Sequence, residues 1–125
     1  MRFISASGFS AQAIREVERL ADESGGPRFR ALLVEYNLME RELYERELEP
    51  IAVEMGRGAV ARMPLADGYL SGQFRTKDEL PENVMFDNAA RFIGRLVDRI
   101  LAALRKVADE LGSTPARVAT ASVLH

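Results

Sequence analysis

Four consecutive apolar residues, Ala31-Leu32-Leu33-Val34, constrain the fold of this chain more than any other feature. A run this short and unbroken suits a strand covered on both faces, as in a parallel sheet. Helix signals flank it. Upstream, Ser10 is a good N-cap, and Ile14, Val17, Leu20 and Ala21 follow at helical spacing until Gly25-Gly26-Pro27 stops them. Downstream, a helix is expected from about Glu45 to Met55, provided that Pro50 falls in its first turn, where proline is tolerated. Arg2–Ala6 and Ala59–Met63 are two further β-favouring runs, the second ended by Pro64.

From Pro64 to about Asp87 no period is sustained, and a loop longer than about 12–15 residues in a compact domain is usually functional. Phe92, Ile93, Leu96, Val97, Ile100, Leu101, Leu104, Val107, Ala108 and Leu111 then keep one apolar stripe, with Asn88 as the expected cap and Gly112 as the stop. Thr114-Pro115 opens a last helix whose apolar face includes Val118, Ala119 and Val123. Strands alternating with helices predict right-handed βαβ units on a parallel sheet, in one α/β domain over residues 1–125. Three strands cannot close a barrel, and an eight-stranded βα barrel needs about 250 residues.

Composition narrows the chemistry. Seventeen Lys and Arg against nineteen Asp and Glu leave a net charge of -2, with no field to steer nucleic acid or an anionic membrane, so neither is expected as a partner. The absence of cysteine excludes disulfides, a thiol nucleophile and cysteine zinc sites. The single histidine, His125, is the last residue and builds no metal cluster or triad with others. No apolar run approaches the roughly 18–20 residues of a membrane span, and Met1–Ser5 lacks a secretory apolar segment. A cytoplasmic setting is expected.

Four segments resemble aldo-keto reductases, in that family's order and spacing and across nearly the whole chain. Arg2-Phe3-Ile4-Ser5-Ala6-Ser7-Gly8-Phe9-Ser10 is similar to the family's "RYIGxSNFS" segment, and Val34-Glu35-Tyr36-Asn37-Leu38-Met39-Glu40-Arg41 to "QxEYNLxxR". Pro64-Leu65-Ala66-Asp67-Gly68-Tyr69-Leu70-Ser71-Gly72-Gln73-Phe74 resembles the "SPLAxGxLTGKY" loop, and Ser113–Leu124 the "SxAQVALAWLL" helix. The resemblance implies a partial TIM barrel, corresponding to strands five to seven of an NADP(H)-dependent reductase of aldehydes and ketones. It also implies that the family's catalytic Asp, Tyr, Lys and His, which lie on earlier strands, are outside these residues. The chain alone is then an inactive fragment and at most a weak NADP(H)-binding remnant. The alternative is an excised or engineered half-barrel scaffold with no ligand.

By the same resemblance, the Pro64–Phe74 loop would lie over the cofactor pyrophosphate. Pro64, Leu65, Ala66, Gly68, Leu70, Ser71, Gly72 and Gln73 are its candidate contacts, and Ser7 is a candidate donor to the nicotinamide amide. An ordinary crossover loop and a strand-end turn residue remain the competing readings. The departures bear on affinity: the family's amide-binding Asn and Gln fall at Gly8 and Leu33. Its stacking aromatic falls at Arg62, the Ser before Pro-Leu at Met63, and the last helix's Trp at Ser122.

Other residues have simpler readings. Glu40, Glu42, Glu45, Glu47 and Glu49, interleaved with Arg41 and Arg46, read as a solvated face. Arg95, Arg99, Arg105 and Lys106 are expected to pair with Asp98 and Asp109. Tyr36, Tyr44 and Tyr69 are conceivable proton donors without an identifiable partner, and Met39, Met55, Met63 and Met85 read as core filler. Finally, Leu32, Val34, Ala59 and Ala61 are expected to present an uncovered face, and the edges near Ile4 and Val60 unpaired backbone groups. Those features predict a homodimer or higher homo-oligomer, or a complementing N-terminal half-barrel as partner.

Overall fold

The computed structural model describes residues 3–73 and 95–124. Three strands, β1 (Ile4–Ser7), β2 (Phe29–Glu35) and β3 (Gly58–Arg62), form a parallel sheet in the order β1-β2-β3. Between β1 and β2 runs α1 (Ala11–Ser24). Between β2 and β3 a π-helical turn, Tyr44–Leu48, continues into α2 (Glu49–Glu54). After β3 come a 3₁₀ turn (Tyr69–Ser71), α3 (Arg95–Glu110) and α4 (Pro115–Ala121). The expected α/β order is present. The chain divides into two compact units, Met1–Glu35 with Arg41–Arg62, and Tyr36–Glu40 with Met63–His125.

In the first unit, local chemistry sets each boundary. The Ser10 hydroxyl accepts from the Ala13 N–H at 3.2 Å and starts α1, and Gly25 at φ 66 closes it. Pro50 sits in the first turn of α2, where its missing N–H breaks no bond; the π-helical turn carries the chain up to that point. Register follows from β2: Ala6 lies beside Leu32, and Ala59 and Ala61 beside Leu32 and Val34.

The sheet's two faces differ from expectation. Leu32 and Val34 are 2% and 7% exposed, together with Ala6, and α1 and α2 contribute the buried Ile14, Ala21, Ile51 and Ala52. The alternate residues, Ala31, Leu33 and Glu35, are half-buried, while Ser5, Ser7, Val60 and Arg62 are exposed. The face naming Leu32 and Val34 as uncovered is therefore corrected: the open one carries Ala31, Leu33 and Val60 among polar neighbours. The crossover helices of a βαβ unit lie on one side and bury Leu32 and Val34 there, while Ala59 on the edge strand is exposed, as expected, and Ala61 is half-buried. Among the described residues, β1 and β3 each pair on one side only.

One buried charge, Glu18 on α1, anchors the lower end of this unit. Its carboxylate accepts from Arg57 at 3.2 Å and lies 3.7 Å from Arg28. Exposed pairs such as Arg41–Glu45 and Arg46–Glu42 confirm the solvated acidic face.

The second unit packs Ala66, Tyr69, Leu70, Leu101, Leu104 and Ala119 into one core, with Leu38, Met39, Leu65, Ile100 and Val118 against it. Leu101, Leu104 and Ala108 are the buried part of the α3 stripe, whereas Leu111 is 68% exposed. Phe92 and Ile93 of that stripe lie outside the described residues, as do its expected cap Asn88 and Met85. The Thr114 hydroxyl accepts from the Arg117 N–H at 3.3 Å, and Pro115 takes the first turn of α4. The expected Arg105–Asp109 pair is absent among the described residues; Lys106 meets Glu110 at 3.9 Å instead, and one Arg105 terminal nitrogen is buried without a partner.

Gly72 fixes how the loop meets α4. Its φ is 80, and a Cβ there would stand 2.9 Å from Pro115 Cγ. Gly72→Ala therefore combines a left-handed penalty with a clash against a rigid ring. It should destabilise the second unit by about 2–3 kcal/mol, read from the shift in urea unfolding midpoint. An unchanged midpoint would show that the loop does not press on α4.

Candidate functional site

Residues 63–73 form a tightly wound segment directly after β3. Met63, Ala66 and Asp67 have φ values of 59, 48 and 54, and Gly68 follows at 91. Left-handed conformations at non-glycine residues are disfavoured by about 1–2 kcal/mol each, so the surroundings must impose them. Two features do so. The buried side chains of Ala66, Tyr69 and Leu70 (1%, 4% and 0% exposed) seat the segment in the core. The second is a buried carboxamide, Asn37.

Asn37 is 1% exposed. Its Nδ2 donates to the Met63 carbonyl at 3.1 Å, and its Oδ1 accepts from the Met39 and Glu40 N–H groups at 2.9 and 3.0 Å. The Asn37 and Glu40 main chains also bond each other. One side chain thus ties the turn after β2 to the point where the segment leaves β3. Sequence reasoning quoted Asn37 only inside a longer motif. Its signal was an amide set between strand-favouring residues and a polar turn, where Asn commonly satisfies backbone groups.

Accounting for the backbone donors shows what the segment can offer. Ala66 N–H donates to Met63, Gly68 and Leu70 to Leu65, Tyr69 to Ala66, and Ser71 to Gly68. The Ser71 hydroxyl donates to the Gly68 carbonyl at 2.6 Å and accepts from the Gln73 N–H at 3.2 Å. The N–H groups of Leu65, Asp67 and Gly72 take no part in these bonds among the described residues. Left-handed turns with unengaged N–H groups can form anion-binding concavities.

The expected contact set is placed as follows. Ala66 and Leu70 turn their side chains into the core and engage their N–H groups, while Pro64 has none to give. Gly68, Ser71 and Gln73 use theirs internally, leaving Leu65 and Gly72 from the expected set. Asp67, which that set omitted, joins them. Ser7 belongs to the first unit, exposed at the end of β1. There it lines a cleft of about 440 Å³ with Gly8, Leu33, Glu35, Leu48 and Arg62. The positions departing from the family pattern, Gly8, Leu33 and Arg62, thus share one cleft and present no carboxamide to it.

Two tyrosines have perturbed phenols. Burial, and then the negative charge of Asp98, pushes the Tyr69 phenol up from its usual value. Burial with Glu49 does the same for Tyr44. Both shifts favour the protonated form. Among the described residues no group of three acidic or histidine side chains could hold a metal, and no helix is long and apolar enough to cross a membrane.

A family model, that of the Aldo/keto reductase family, matches residues 3–125. The chain belongs to that family. It is 36% identical to a probable voltage-gated potassium channel subunit beta of Arabidopsis thaliana over 92% of its own length and 37% of that protein's. It is 28% identical to a putative aryl-alcohol dehydrogenase of Schizosaccharomyces pombe over its whole length and 36% of the relative. A versiconal hemiacetal acetate reductase of Aspergillus parasiticus is 27% identical over 96% of this chain and 36% of the relative. The glycerol dehydrogenase of Gluconobacter oxydans superposes with a TM-score of 0.79 at 21% identity, covering 98% of this chain and 36% of that one. The chain thus spans a little over a third of these relatives, and its three strands and helices match a piece of the aldo-keto reductase barrel.

Asn37→Ala breaks three bonds in a buried setting and leaves the Met39 N–H without its acceptor, while the Met63 carbonyl keeps the Ala66 N–H and the Glu40 N–H keeps the Asn37 carbonyl. A loss of about 2–4 kcal/mol is expected. Denaturant unfolding checks it, with Asn37→Asp expected to fall between the two proteins because it keeps the acceptor and loses the donor.

Proposed function

We propose that this aldo-keto reductase chain is a strand-five-to-seven segment of an NADP(H)-dependent carbonyl oxidoreductase, contacting the cofactor diphosphate through residues 63–73. The unengaged N–H groups of Leu65, Asp67 and Gly72, held by imposed left-handed turns, carry this reading. Two relatives named as an alcohol dehydrogenase and a reductase support the carbonyl–alcohol pair as the parent chemistry. The bound cofactor would supply the hydride. Residues 63–73 of this chain would hold its phosphates.

The fit is good at the phosphates and poor at the nicotinamide. Gly8 and Leu33 offer no carboxamide, and a ligand amide left unpaired forfeits roughly 1–3 kcal/mol per lost bond. Arg62 replaces a neutral stacking surface with a cation, unsuited to the charged ring of the oxidised cofactor. The described residues contain no His or Cys, and burial holds the Tyr44 and Tyr69 phenols in their protonated form.

The chain alone is accordingly proposed to be catalytically silent, with weak cofactor binding. Binding of NADPH near millimolar, about -4 kcal/mol, is expected by fluorescence titration, with no NADPH-dependent reduction of a simple aldehyde above a protein-free control. Sub-micromolar binding or genuine turnover would overturn the reading. The open face of Ala31, Leu33 and Val60, and the free edges of β1 and β3, support homo-oligomerisation or pairing with a complementing half-barrel. Light scattering should then give a mass above the 13.9 kDa of one chain.

A further inference from the structure

Residues 63–73 contain one charged side chain, Asp67, and no Lys or Arg. Asp67 forms no ion pair among the described residues, and its Oδ2 is buried with no hydrogen-bond partner. An acidic side chain with no cationic partner among the described residues thus stands beside the N–H groups that would receive a phosphate. The proximity is covalent: an oxygen accepting from the Asp67 N–H lies within roughly 7 Å of the same residue's carboxylate, whatever its rotamer. Partial burial lowers the screening between them.

We propose that Asp67 is a specificity-determining residue that sorts ligands of this segment by charge per phosphorus. Repulsion grows linearly with ligand charge. A doubly esterified diphosphate carries about one negative charge per phosphorus, whereas a terminal phosphate carries about -1.5 to -2 near pH 7. The segment therefore admits the internal diphosphate of a dinucleotide and rejects inorganic pyrophosphate or a nucleotide's terminal phosphate. This rests on the phosphate-binding reading above.

The test compares NADH and inorganic pyrophosphate on the wild type, Asp67→Asn and Asp67→Gly. Both replacements suit the φ of 54, so the backbone is kept. Calorimetric titration at low salt should show the wild type binding NADH more tightly than pyrophosphate. Both variants should gain affinity for both ligands, with pyrophosphate gaining about tenfold and NADH about threefold, so that the preference narrows. Binding by all three proteins with an unchanged preference overturns the role of Asp67 and leaves the functional reading standing. No binding of either ligand by any of them overturns that reading and the role of Asp67 with it.

Discussion

The carboxamide of Asn37 is the contact on which the candidate site depends. A chain leaving a strand normally relaxes into turns of its own choosing, and left-handed φ values at Met63, Ala66 and Asp67 would be abandoned if nothing held them. Asn37 holds the Met63 carbonyl from one side while accepting two N–H groups of its own turn. Leu70 and Tyr69 hold the other end by burial. Between these anchors the backbone has little freedom, and the N–H groups of Leu65, Asp67 and Gly72 stay outside its internal bonds among the described residues. Packing and hydrogen bonding thus create the donors that the proposed chemistry uses.

The same division of labour underlies the proposal that the chain alone is catalytically silent. The packing that defines the fold piece is intact: a parallel sheet with its helices, and a compact unit around Leu70. By the family resemblance, Gly8 and Leu33 stand where carboxamides would fix a nicotinamide, and burial raises the Tyr44 and Tyr69 phenols. A scaffold tolerates such changes because they remove no buried apolar surface.

Much of the fold was legible. The run at Ala31–Val34, the Ser10 and Thr114 caps, and the tolerated Pro50 are local signals with short-range physical causes, and the structure realises each of them. The buried face was not legible, because a continuous apolar strand does not say which of its two sides the helices will cover; Leu32 and Val34 turned out to be the covered side. For the site, the segment was legible from its glycines and its family likeness, but its pattern of internal hydrogen bonds was not. Which N–H groups a loop keeps for itself depends on its three-dimensional turns, so Gly68 and Ser71 read as contacts and Asp67 did not. Asn37 was hidden for a related reason: its partner Met63 is 26 residues away in sequence.

The N–H groups of Leu65, Asp67 and Gly72 are the proposed receivers of phosphate oxygens, and amide NMR of the chain during NADH titration reads them one by one. Their resonances should shift downfield together with one binding curve, while those of Ala66 and Gly68 stay close to their starting positions. Shifts confined to other residues, or a uniform response across the segment, would rule that role out.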